Sequence, residues 1–283
     1  MNLLLWTTQM EEKMLPVLEK IKAMGFDGVE VPIFDVNPAK WQAWSKRLDD
    51  IGLERIAVTF CGAEFNAISP EISTRQQALE RNQLAVECTQ ALGATLLTGP
   101  YHSALGVFTG KGATEQEWAW SIEHTQKMAE KAKNSGVMLG IEYLNRFENY
   151  LLTSAADTVR YVQDVNHPSC QMMYDTFHAN IEEKDLAASI TSSAKRLVHV
   201  QISENDRSTP GKGHINWKAI FDALTAIQYD GWLSIEAFGL TPPDLASAAH
   251  IYRRMFTSED QLASEGLAFL KSEIKNRTTI ACP

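Results

Sequence analysis

The sequence is short of the features that mark specialised proteins. Four cysteines in 283 residues, Cys61, Cys88, Cys170 and Cys282, form no CxxC pair. So few, so scattered, they imply reduced thiols in a cytoplasmic protein, not a disulfide scaffold. No apolar run approaches the roughly 18 residues that span a bilayer. The opening MNLLLWTTQM lacks the basic stretch of a signal peptide. Basic runs are absent too: Lys and Arg number 26 against 35 Asp and Glu, a net charge of −9. That balance argues against nucleic acid or an anionic membrane as partner, and the acidity reads as a solubility feature. There is no linker, low-complexity tract or composition shift, so residues 1–283 read as one domain with a helical C-terminal tail.

What is present is alternation. Short apolar runs at 3–7, 28–33, 55–60, 95–99, 137–143, 170–175, 197–203 and 232–238 read as strands. Segments of helical spacing lie between them, at 10–24, 38–51, 74–92, 114–135, 154–164, 184–191 and 217–227, with 243–255 and 258–275 after the last. Gly25, Gly52, Gly93 and Gly136 end four of the helices. Strands alternating with helices imply a parallel sheet with right-handed crossovers. Eight such units in a chain of this length predict an α/β fold, the closed (β/α)₈ or TIM barrel. The rival, an open doubly wound sheet, usually carries a Gly-rich turn after its first strand, and WTTQMEE has none.

In such a barrel the reacting groups stand at the C-terminal ends of the strands. The fifth strand ends in Glu142, the sixth in Asp175 and the eighth in Glu236, and the seventh nears its end with Gln201. Any one of these acids could be a helix cap or a salt-bridge partner; Asp175, in YDTFH, is well placed to cap the helix after it. Four oxygen donors on consecutive strands, three of them carboxylates that would repel one another, point instead to a divalent cation. Such ligands suit Mn²⁺ or Mg²⁺ before Zn²⁺. His199 lies two residues before Gln201 on the same face, one layer deeper, and reads as a buried, hydrogen-bonded histidine. Glu148, His178 and Arg207 lie in the loops just beyond and could surround a small polyhydroxylated ligand. The run PGKG at 210–213 lacks the spacing of a phosphate loop. Trp6, Phe60, Tyr101, Phe108 and Phe238 are candidates to line the remaining pocket, Trp6 and Phe238 foremost because they stand at strand ends.

Through IEYLNRFENYL, YDTFHANIEE, SENDRSTPGKG and WLSIEAF, the chain resembles the sugar phosphate isomerase/epimerase superfamily of xylose-isomerase-like barrels, and within it the D-tagatose 3-epimerase and D-psicose 3-epimerase group. The likeness runs over nearly the whole chain, although its first half is generic to such barrels. It implies a metal, Mn²⁺ first with Mg²⁺, Co²⁺ or Zn²⁺ as alternatives, held by Glu142, Asp175, Gln201 and Glu236. It implies Glu142 and Glu236 as the acid/base pair, and Glu148, His178 and Arg207 as contacts to the C1–C3 end of a ketose. Gln201 departs from the histidine usual in those epimerases and matches the hydroxypyruvate-isomerase-like barrels; its amide oxygen can still ligate.

The expected activity is therefore epimerisation at C3 of a free ketose through an enediolate. Aldose–ketose isomerisation and dehydration of an inosose-type keto-polyol on the same metal are the alternatives. A DNA-repair endonuclease of the related barrels would need three zinc ions, more histidines than the seven present and a basic face. Intact Glu142 and Glu236 argue against a regulatory module that has lost its chemistry. The resemblance also implies a homo-oligomer, dimer or tetramer.

Overall fold

A computed structural model describes residues 1–278; Cys282, counted above among the thiols, lies outside them. Seven parallel strands follow one another around the sheet in chain order: β1 (Gly28–Pro32), β2 (Glu54–Val58), β3 (Leu96–Gly99), β4 (Met138–Ile141), β5 (Cys170–Asp175), β6 (Leu197–Ile202) and β7 (Trp232–Ile235). Helix α1 (Leu15–Met24) precedes β1, and α2 (Pro38–Ile51), α3 (Ile72–Ala91), α4 (Glu115–Asn134), α5 (Ala155–Val165), α6 (Thr176–Glu182), α7 (Leu186–Ser193) and α8 (Trp217–Ala226) lie between the strands. After β7 come α9 (Pro243–Ala248) and α10 (Glu259–Thr278). This is a near-closed TIM barrel. Among the described residues, no helix is long and apolar enough to cross a membrane.

The expected first strand, 3–7, is a correction. Leu3–Leu5 is a turn of 3-10 helix. Asn2 is the cause: its side chain accepts the Leu4 N–H at 2.9 Å and turns the chain immediately. The two residues before the turn still close the barrel. The Asn2 N–H donates to Ile235 O and the Glu30 N–H to Met1 O, both at 2.9 Å, so residues 1–2 lie between β7 and β1, with one parallel bridge from Asn2 to Glu30. The eighth position is thus occupied, but by two residues in place of a strand.

The helix ends follow their local chemistry. Thr114 and Glu117 form a reciprocal capping box on α4. Ser154 caps α5, and Gly25 and Gly52 close α1 and α2 in the left-handed region. Inward faces are apolar: α8 buries Trp217, Ile220, Phe221 and Leu224, each worth about 1.5–3 kcal/mol when removed from water. A second, smaller apolar cluster, Leu4, Val58, Phe238, Leu245, Ala246 and Ile251, sits over the mouth where the strands end. The helix expected at 243–255 is shorter than its apolar content suggests, because α9 stops at Ala248. Gly99 is required where it is: at φ 125° its carbonyl turns toward Glu142, and a β-carbon there would lie 1.9 Å from Thr59 O.

Candidate active site

The strand register places the expected residues at neighbouring levels near the strand ends. Asp175 pairs with Gln201 across β5 and β6, and Ile202 with Ile235 across β6 and β7, which leaves Glu236 one residue above. Glu142 follows Ile141, the partner of Gly99. Both glutamates keep their backbones in the ladder: Glu142 N–H donates to Gly99 O at 3.2 Å and Glu236 N–H to Ile202 O at 3.1 Å. The Glu142 carbonyl in turn accepts from His102 Nε2 at 3.0 Å, on a ring that burial keeps neutral, with its pKa lowered to about 3.

Asp175 does two things at once. Its Oδ1 accepts the Phe177 N–H at 2.6 Å and caps α6, as its sequence context suggests. Its Oδ2 is left for the site and accepts from Arg207 Nη1 at 3.1 Å. The same Nη1 also pairs with Glu236 Oε2. Asn2 Nδ2 holds the other oxygen of Glu236 at 3.0 Å.

Arg207 reaches the mouth from the loop between β6 and α8. Its guanidinium lies between two aromatic faces, 3.8 Å from the centroid of Phe177 and 4.8 Å from that of Phe238. Its backbone is left-handed, φ 62°, a strain on the order of 1–3 kcal/mol that the surrounding bonds hold. One of those bonds runs from Phe238 N–H to Arg207 O at 2.9 Å. The PGKG run belongs to the same loop. The buried carboxylate of Glu204 accepts from Gly211 N–H at 2.8 Å and from Trp217 Nε1 at 2.9 Å. A protein anion pins those glycines, and the run is structural.

His178 stands on α6 with both ring nitrogens constrained. Nδ1 accepts the backbone N–H of Asn145 at 3.0 Å. Burial, and then the nearby Arg207, push its pKa well below the usual histidine range, so the ring is neutral and its one proton sits on Nε2. That N–H points into the site, 3.6 Å from Glu142 Oε1. Arg207 Nη2 lies 3.1 Å from Nε2, and because a guanidinium can only donate while Nδ1 already accepts from Asn145, this contact sets one N–H against another. Two donors therefore face the same space, and an oxygen placed there could accept from both. Glu148 is tied to the same corner, where Asn145 Nδ2 donates to its Oε1 at 2.8 Å.

Burial is the common electrostatic theme. It raises Glu142 well above the usual carboxylate range, and the nearby Glu236 and Asp175 add to the rise. It raises Glu236 likewise, against the opposing pull of Arg207. Asp175 also rises, with Arg207 again opposing. Three buried carboxyls face one guanidinium, so any negative charge beyond the first lacks a partner and the site is suited to a further cation. Ligand atoms of Glu142, Asp175 and His178 lie within 4.8 Å of one another, a cluster able to hold a metal ion. Glu142 and Asp175 supply its carboxylate oxygens, and His178 turns Nε2 toward them. Gln201 supplies a further sign. Its amide oxygen is buried and has no hydrogen-bond partner, which is costly unless something positive completes it. The donor set fits a divalent ion that prefers oxygen.

A cavity above the carboxylates is lined by the polar Glu142, Glu148, His178, Arg207 and Glu236 and by the apolar Leu4, Val58, Phe60, Leu105, Phe238 and Leu245. Phe60 and Phe238 are thus placed as expected. Trp6 does not line this cavity; it is half-buried against the main core. Tyr101 is buried and donates to Leu97 O at 3.0 Å, and Phe108 is largely exposed. His199 is buried, but neither ring nitrogen makes a hydrogen bond; Nε2 lies 3.4 Å from Glu30 Oε1. A larger cleft opens at the other end of the barrel, where β1 and β7 begin, but the strand-end acids do not reach it. Sequence reasoning missed Asn2, Asn145 and Glu30. Only Glu30 carried a signal, a charge inside the apolar run GVEVPI.

Residues 18–273 match the family of xylose isomerase-like TIM barrels. The chain belongs to that family. Within the xylose isomerase-like barrels it is similar to an L-ribulose 3-epimerase of Mesorhizobium japonicum, 31% identical over 89% of this chain and 86% of the relative. It is 29% identical to a probable ketose 3-epimerase of Synechocystis, over 90% of this chain and 89% of that one. Among solved structures, D-allulose 3-epimerase of Methylomonas in complex with D-allulose superposes with a TM-score of 0.91 at 26% identity, covering 96% of this chain and 95% of the other.

Proposed function

We propose that this protein is a divalent-metal-dependent ketose 3-epimerase acting on free monosaccharides. One observation carries the reading. Glu142 and Glu236, at the ends of β4 and β7, line one cavity together with the paired donors of His178 and Arg207. Strands β4 and β7 stand three positions apart around the barrel, so the two carboxylates reach the cavity from different sides. That is the arrangement needed to invert a carbon: one base on each face. The epimerase relatives above support the same reading, and the buried free thiols of Cys61, Cys88 and Cys170 fit a reducing, cytoplasmic setting.

Glu142, Asp175, Gln201 and Glu236 would hold the ion, Mn²⁺ first. When bound, it would supply Lewis-acid stabilisation of the negative charge that develops as a proton next to a ketone is removed. The rest falls to the chain. His178 Nε2 and Arg207 Nη2 donate to the substrate oxygens at the C1–C3 end and Glu148 accepts from a hydroxyl, fixing C3 between the two glutamates. One glutamate takes the C3 proton as the enediolate forms. The other, protonated, returns a proton to the opposite face, and the configuration at C3 inverts. Burial raises both carboxyls above the usual carboxylate range in the metal-free protein, and a bound ion would oppose that rise. The apolar wall of Val58, Phe60 and Leu105 keeps water from the reacting centre.

Product analysis tests the reading. Mn²⁺-loaded protein, incubated with free ketopentoses and ketohexoses, is expected to interconvert C3 epimers on chromatography without forming an aldose or losing water. An aldose product would replace the reading with isomerisation, and loss of water from a keto-polyol would replace it with dehydration.

A further inference from the structure

We propose that Glu30 is a positioning residue that fixes the amide of Gln201 with its oxygen toward the metal; this rests on the metal site proposed above. Glu30 lies in the middle of β1, across the barrel interior from β6, and its carboxylate is fully buried. Thr98 Oγ1 donates to its Oε1 at 2.7 Å. Gln201 Nε2 lies 3.2 Å from both of its oxygens.

An ionised carboxylate only accepts hydrogen bonds, so it selects one of the two orientations of the glutamine amide. The NH₂ must face Glu30. The oxygen must then face away, and there it is buried with no partner. Turned the other way, the amide would aim two N–H groups at the ion and set its oxygen against a carboxylate. Glu30 thus removes the orientation that would repel a metal. Its negative charge also polarises the amide and makes the oxygen a better donor, the usual effect of a group that supports a metal ligand from behind. Thr98 does the same for Glu30, since its hydroxyl is shared between Glu30 Oε1 and Ala57 O, the latter at 3.0 Å. The three residues form a chain from the barrel interior to the mouth: hydroxyl, carboxylate, amide.

The test is Mn²⁺ binding by the metal-free protein, measured calorimetrically and by the electron paramagnetic resonance signal of free Mn²⁺. Glu30→Gln keeps the shape but can both donate and accept, so the Gln201 amide is free to turn. Affinity is expected to fall about 10–100-fold. The same change in a Gln201→Ala background should cost much less, because only the lost charge is felt there. An equal penalty in both backgrounds, or no penalty in the native one, overturns the proposal. Thr98→Val is the second variant, for the event that Glu30→Gln does not fold; a smaller loss of affinity is expected, and unchanged affinity counts against the proposal. If the native protein takes up no Mn²⁺, the metal site falls, and the role of Glu30 with it. Native binding combined with equal penalties removes the role of Glu30 alone.

Discussion

Glu142→Gln and Glu236→Gln are each expected to lower turnover by about 10²–10⁴-fold or more, the range that a positioned proton-transfer group contributes. Glutamine preserves the volume and an oxygen that could still ligate a metal, but it cannot carry the proton. Measured with saturating Mn²⁺, the loss should fall on kcat, because the change removes an interaction made in the transition state. Stability separates the two variants. Burial and the neighbouring Glu236 and Asp175 raise the Glu142 carboxyl. A carboxyl whose pKa is raised on folding loses stability as pH climbs from the unfolded value toward the folded one. At neutral pH Glu142 therefore works against the metal-free fold, and Glu142→Gln should raise the melting temperature of the metal-free protein. Glu236→Gln should raise it less, because Arg207 opposes the rise there and the change discards that pairing. Epimerisation at near-native rates in either variant would exclude the acid/base pair.

Removing the metal is expected to abolish turnover, and Mn²⁺ is expected to restore it. Dialysis against EDTA followed by readdition, with activity and melting temperature followed together, is the measurement. Three buried carboxyls share one guanidinium in the metal-free site, and a divalent ion supplies the charge that their ionised forms lack. Stabilisation follows mass action, about 2.7 kcal/mol when free metal is 100 times its Kd. Protons compete for the same raised carboxyls, so affinity for the ion should increase with pH. Full activity in metal-free protein would contradict the ligand assignment of Glu142, Asp175, Gln201 and Glu236.

The barrel was legible because alternation of short apolar runs and helical segments survives any local irregularity. Its first strand was not. LLLW reads as a strand by hydropathy, but the Asn2 side chain bonds the Leu4 N–H and turns the chain after two residues. Trp6 fell with it, since its placement rested on standing at the end of that strand. Asp175 had two readings, cap and strand-end acid, and its two oxygens serve one each. For α6 only the cap was visible, because a helix whose N-cap is the last residue of a strand leaves no turn signal to mark its extent. What it could not contain was orientation. The proton of His178 is set by an N–H from Asn145, 33 residues away. The guanidinium of Arg207 is held by Phe177 and Phe238, which come from two other elements. Both depend on long-range packing that no spacing rule reaches. Glu30 is different: a charge at an inward position of an apolar strand is visible in the sequence, and its partner Gln201 is what gives it a reason.

The place of deuterium incorporation distinguishes the chemistry most directly. A free ketose incubated with the Mn²⁺-loaded protein in D₂O and followed by NMR should gain deuterium at C3, with the C3 epimer appearing at a matching rate and C1 remaining protiated. Deuterium at C1, or at C2 of an aldose product, would show that the two carboxylates act on a different carbon and that the protein is not a 3-epimerase.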